Sequence, residues 1–177
     1  MQAYTILAFM IKGPLRLDTA DIRLISLYKF KQLKEDEKEA SNWYITGAGT
    51  DQRLYLYRFK TARYFKKLDD LPVKIQLDKQ DKATFNAWIK CRARLGFEHD
   101  WLFVNSQGAK MSRNSLSKLI SSSTKSYTGK IVGATLLRHV FLTNWLGSER
   151  VLEQKLATAR RMGQTNISIQ SQYRKLL

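Results

Sequence analysis

Two ends of one stretch, residues 133–173, carry the residue types best suited to chemistry. At its start Thr135-Leu136-Leu137-Arg138-His139 opens an apolar helical run. At its finish Met162-Gly163-Gln164-Thr165 precedes Ser171-Gln172-Tyr173-Arg174-Lys175. An arginine, a polar amide and a phenol in that order suit phosphate chemistry. The guanidinium offers paired N–H donors to phosphate oxygens, and the phenolate is a nucleophile. Two more cations stand far upstream. Arg16 follows Gly13-Pro14-Leu15 in a turn between two predicted helices, where it can point into a cleft, and Lys60 ends a predicted strand. Position alone also allows a surface arginine and a solvated lysine at these places.

Charge points to the class of partner. The 177 residues hold 31 Lys and Arg against 15 Asp and Glu, a net charge of +16. Cations that neutralise phosphates release condensed counterions, so an excess of this size favours a nucleic-acid partner. An acidic membrane surface is the weaker alternative. No apolar run reaches the roughly 18 residues of a spanning helix, and the start does not resemble a signal peptide. The single cysteine, Cys91, excludes an internal disulfide framework and fits a reducing, intracellular compartment. Two histidines, His99 and His139, with one cysteine are too few for a zinc site. The acids Glu35, Asp36, Glu37 and Glu39 alternate with Lys34 and Lys38 as a solvated run, not a metal cluster. A metal-dependent nuclease is therefore disfavoured.

The elements that must position these residues follow from pattern. Ala3 to Lys12 reads as a short apolar helix stopped by Gly13-Pro14. Asp18 or Thr19 can cap a second helix with Ile22, Leu24, Ile25 and Leu27 on its buried face. Residues 42–46, 54–59 and 72–77 carry strand patterns, with a turn at Gly47-Ala48-Gly49 and a basic stretch holding Arg63, Lys66 and Lys67. Three short strands joined by tight turns predict a small three-stranded antiparallel sheet beside a helical body. From Lys79 the period is helical through Phe85, Trp88 and Ile89 to Leu95, and Gly96 ends it. Trp101 and Phe103 are assigned to a buried segment, and Ser112 to a helix cap. The polar side of that next helix carries Arg113, Lys118, Lys125 and Lys130, suited to phosphate contacts. In Ala134 to Leu146, Leu137, Phe141 and Trp145 are expected on one face. Arg138 lies between them, bordering a cleft or meeting an acid. Residues 148–161 form a further helix, and 167–176 a last turn or helix carrying Tyr173. The expected architecture is one mostly helical α+β domain over 1–177.

Taken together, these residues resemble the catalytic domain of the tyrosine recombinases, the phage-integrase family, over nearly the whole chain. Gly13-Pro14-Leu15-Arg16 is similar to the first-arginine box, Phe59-Lys60-Thr61 to the lysine hairpin, and Leu137-Arg138-His139-Val140-Phe141 to the second-arginine box. Met162-Gly163-Gln164-Thr165 is similar to the box usually written Leu-Gly-His-Ser, and Tyr173 follows Gln164 by the nine positions usual there. The wording is most similar to recombinase-like proteins of large DNA viruses and their satellites. The resemblance implies Arg16 and Arg138 as phosphate clamps, Lys60 as general acid and Tyr173 as nucleophile. It also implies double-stranded DNA as the partner and a covalent 3′-phosphotyrosyl intermediate formed without metal or cofactor.

Two positions depart from the pattern: Thr135 stands where His or Lys is usual, and Gln164 where His or Trp is usual. Both can donate a hydrogen bond to phosphate, but neither is a base matched to neutral pH. His139, next to Arg138, points about 100° away round the helix and reads as a packing residue. The family's N-terminal DNA-clamping domain is expected to be missing from this chain. With only four residues after Tyr173, assembly into a dimer or tetramer on DNA is left open. A DNA-binding relic of the same fold, a type IB topoisomerase-like relaxing enzyme and an unrelated RNA-binding protein are the alternatives.

Overall fold

Strand pairing, more than helix propensity, sets the frame. The computed structural model describes residues 1–47 and 52–146, together with Gln154, Thr158, Ala159 and Met162. Helix α1 (Gln2–Ile11) leads through Gly13-Pro14 into a 3-10 turn (Leu17–Asp21) and then into strand β1 (Ile22–Ser26). This is the first correction. The stretch expected as a second helix is a strand, because long-range pairing outweighs its mixed apolar pattern. β1 runs parallel to β2 (Asn42–Thr46) in the register Ile22↔Asn42 to Ser26↔Thr46. On its other edge, Leu102 N–H donates to the Ile22 carbonyl (2.8 Å) and Leu24 N–H to the Asp100 carbonyl (2.6 Å). Ser26 then caps α2 (Leu27–Gln32), accepting the Lys29 N–H.

A parallel pair needs a crossover, and α2 with α3 (Glu35–Glu39) supplies it. The expected antiparallel strands are present as β2, β3 (Arg53–Leu56) and β4 (Val73–Gln76), so the sheet has four strands in the order β1-β2-β3-β4, not three. A second correction concerns the link between β3 and β4. The connection there is not a tight turn, because the basic stretch forms helix α4 (Ala62–Lys67), held down by Phe65, which is buried edge-on to Phe59. The remaining helices match expectation: α5 (Lys79–Arg94), α6 (Arg113–Thr128), capped by Ser112, and α7 (Ala134–Leu146). The segments expected at 148–161 and 167–176 lie outside the described residues, save Gln154, Thr158 and Ala159, which are helical.

Alternation across β2 gives the domain two apolar layers. Tyr44 faces the main core with Leu54, Leu56 and Ile75 of the sheet, Phe9 of α1, Phe85 and Trp88 of α5, and Ile120 of α6. Trp43 and Ile45 point the other way and pack with Phe30 of α2 and Tyr57. Phe103 is buried as expected. Trp101 is only half-buried, with the Arg23 guanidinium and the Lys110 ammonium against its ring.

Two phenols in these layers give measurable consequences. The Tyr44 ring stacks on Phe85 with centroids 5.0 Å apart, and its buried hydroxyl has no hydrogen-bond partner among the described residues. A buried polar group without a partner costs roughly 1–3 kcal/mol, so Tyr44→Phe should raise the unfolding free energy by about 1 kcal/mol, read as a higher urea midpoint at unchanged slope. Burial also pushes the Tyr57 phenol up to about 12. Its neutral form is the folded form, so its contribution is complete below the ordinary phenol value and declines as pH rises from about 10 towards 12. Tyr57→Phe should therefore blunt the loss of stability in that alkaline range.

Candidate active site

The first predicted site residue is placed by the 3-10 turn. Arg16 is the extended residue that precedes it, and its carbonyl accepts the Thr19 N–H and hydroxyl. That turn buries Asp18, which is 9% exposed. Lys60 comes from the far side of the sheet, in the turn between β3 and α4. Its backbone N–H donates to Asp18 Oδ2 at 2.8 Å. Arg16 Nε lies 3.6 Å from the same oxygen, and Arg113 Nη2 lies 3.0 Å from Asp18 Oδ1. One carboxylate thus gathers Arg16, Lys60 and Arg113 from three separate parts of the chain. The Lys60 side chain is exposed, and its ammonium has no hydrogen bond or ion pair with the described residues.

Arg138 is positioned independently, on α7, which packs against α1 and α6. The buried face of α7 is Ala134, Arg138, Leu142 and Trp145, while Leu137 and Phe141 are half-buried flanks. The expected stripe is therefore rotated, and Arg138 belongs to the buried face instead of sitting beside it. The reason is helical geometry: residues four, four and three apart share a side as well as residues four apart throughout. A guanidinium only 8% exposed is costly unless partnered. It donates from Nη2 to the Met162 carbonyl at 3.5 Å. Thr135 is exposed in the first turn of α7, and His139 is half-buried. Gln164 and Tyr173 lie outside the described residues.

The predicted DNA-contacting cations divide into three settings. Arg63, Lys66 and Lys67 are exposed on α4, where Lys66 pairs with Glu39 (2.7 Å). Lys118, Lys125 and Lys130 are exposed on and just after α6. Arg113, at the first position of α6, is joined to the Asp18 cluster. Asp18 itself is the residue that pattern reading missed. It was visible only as a candidate cap, although an acid two positions from a candidate clamp arginine is a signal worth weighing. A groove of about 660 Å³ beside β1 is a separate feature. Its Arg23 is committed to Asp100 (2.6 Å), and none of the predicted catalytic residues lines it.

Removing the gathering carboxylate tests this arrangement. Asp18→Ala leaves the Lys60 N–H without its acceptor and two arginines without their anion. It should destabilise the domain by about 2 kcal/mol. Asp18→Asn, which keeps an acceptor oxygen, should cost about half of that. Equal thermal midpoints for the wild type and Asp18→Ala would show that these contacts contribute nothing.

No protein-family model matches this chain, and no curated protein matches it. Solved structures do. XerA recombinase is similar with a TM-score of 0.60 at 13% identity, over 99% of this chain and 52% of that one. The Tn1549 transposon integrase, in complex with transposon right-end DNA, is similar with a TM-score of 0.53 at 17% identity, over 96% of this chain and 53% of that one. The chain thus spans about half the length of the structures it matches. At these identities the likeness speaks for the fold alone, a tyrosine-recombinase-like one built on the four-stranded sheet and its helices.

Proposed function

We propose that this domain breaks and rejoins double-stranded DNA through a tyrosine nucleophile. Arg16 and Arg138 bind the nonbridging oxygens of the scissile phosphate, where two fixed guanidiniums oppose the charge that grows as the phosphorus is attacked. The Tyr173 phenol oxygen bonds to phosphorus as the bond to the 5′-oxygen breaks. The Lys60 ammonium gives its proton to that leaving oxygen. The phenol proton passes to solvent, because Thr135 and Gln164 are not bases at neutral pH. A 3′-phosphotyrosyl link results, and attack by a 5′-hydroxyl reverses it with the bond energy conserved. Thr135 and Gln164 serve as hydrogen-bond donors to phosphate.

The observation that carries this reading is the meeting of Arg16 and Lys60 at one buried carboxylate in a recombinase-like fold, with the lysine ammonium unengaged among the described residues. The net charge of +16 supports a DNA ligand. The exposed cations of α4 and α6 supply backbone contacts that position the duplex.

A nicked suicide duplex, from which the cleaved strand end diffuses away, tests the chemistry. Wild-type protein should give a covalent adduct on a denaturing gel, and Tyr173→Phe should give none. Lys60→Ala should slow adduct formation by about 10²-fold or more. A substrate with sulfur in place of the leaving 5′-oxygen needs no proton and should restore it. If wild type binds the duplex but never forms the adduct, the domain is a DNA-binding relic. Relaxation of supercoiled plasmid without site dependence would make it topoisomerase-like.

A further inference from the structure

Arg113 stands in a place that stability alone does not favour. It is the first residue of the 16-residue helix α6, whose first turn holds no acid. A cation there sits against the positive end of the helix dipole. The backbone at this point is fixed: Ser112 Oγ accepts the Ser115 N–H at 3.0 Å, and Leu116, one turn on, is buried. The side chain is not fixed to the same degree. It is 69% exposed, and its charged partner among the described residues is Asp18, at 3.0 Å. An ion pair with so exposed a member is weak and is exchanged readily. The carboxylate is shared as well, since Asp18 Oδ2 takes the Lys60 N–H and faces Arg16. Arg16, Lys60 and Arg113 set against Asp18 leave a surplus of positive charge around one buried carboxylate.

We infer that Arg113 is a further phosphate-binding residue of this site, resting on Asp18 in the free domain and turning to a DNA phosphate beside the scissile one when the duplex binds. Its planar fork matches two oxygens of a phosphodiester. Asp18 keeps the guanidinium close to the Arg16 and Lys60 cluster, and the weakness of that exposed pair leaves it free to exchange Asp18 for a phosphate. The inference takes its ligand, a DNA phosphate, from the strand-breaking reading above, but it does not require that the strand be cut.

The test uses equilibrium binding of a DNA duplex by the full chain carrying Tyr173→Phe, in which no covalent product forms. The salt dependence of the affinity counts phosphate contacts, at a slope of about 0.9 per contact. Adding Arg113→Ala should lower the magnitude of that slope by about 0.9 and weaken binding, while Arg113→Lys should retain the slope. Arg94→Ala, an exposed arginine on α5 with no place in the site, removes the same charge and should leave the slope unaltered. Since Arg113 is exposed, thermal midpoints close to the parent establish that the variants are folded. An unchanged slope in Arg113→Ala overturns the inference, as does an equal fall in Arg94→Ala. The outcome is separable from the chemistry: failure of the adduct assay with a normal slope change overturns only strand cleavage. Absence of duplex binding overturns both.

Discussion

A buried carboxylate holding cations from distant parts of the chain is the constraint on which the rest of this structure turns. Asp18 is nearly enclosed, and an enclosed charge is tolerated only when its lone pairs are occupied. The Lys60 N–H donates to one oxygen, and the Arg113 and Arg16 guanidiniums stand at 3.0 and 3.6 Å as its counterions. Each contact ties a different element to the 3-10 turn: the chain entering that turn, the sheet's connecting segment and the start of α6. The desolvation of one acid thereby becomes the means of bringing cations together, which would otherwise repel one another.

The sheet makes this possible. β1 must pair in parallel with β2 to leave the 3-10 turn where it is, and β3 must deliver Lys60 to the same end. The main core locks these strands against α1, α5 and α6, while the smaller layer under α2 closes the other face. Helix α4, inserted after Lys60 and anchored by Phe65, holds a row of exposed cations next to that lysine. Rigid elements carry the site, and only side chains at its mouth are left exposed.

Arg138 follows a different logic. It occupies a position in the buried face of α7 that packing alone would give to a leucine or alanine. A guanidinium there is sustained by its hydrogen bonding, including that to the Met162 carbonyl. Such a placement costs stability, which the phosphate binding proposed above would account for.

The sequence by itself was enough for the elements whose signals are local. Ser112 announced its helix, Lys79 to Leu95 showed a clean helical period, and the strand patterns of 42–46 and 72–77 were legible. The candidate cations Arg16, Lys60 and Arg138 could be named from type and order. What tertiary structure alone decided depends on partners far away in the chain. Ile22 to Ser26 is a strand because β2 and the segment at Asp100 to Leu102 lie on either side of it, and its own pattern suited a helix. Arg138 faces inward because α7 rotates to bury Ala134, Leu142 and Trp145. Asp18 read as one more helix cap until folding removed it from water. A carboxylate's role is set by what surrounds it, and its surroundings arrive from positions 42 and 95 residues along the chain, brought there by the packing of the whole domain.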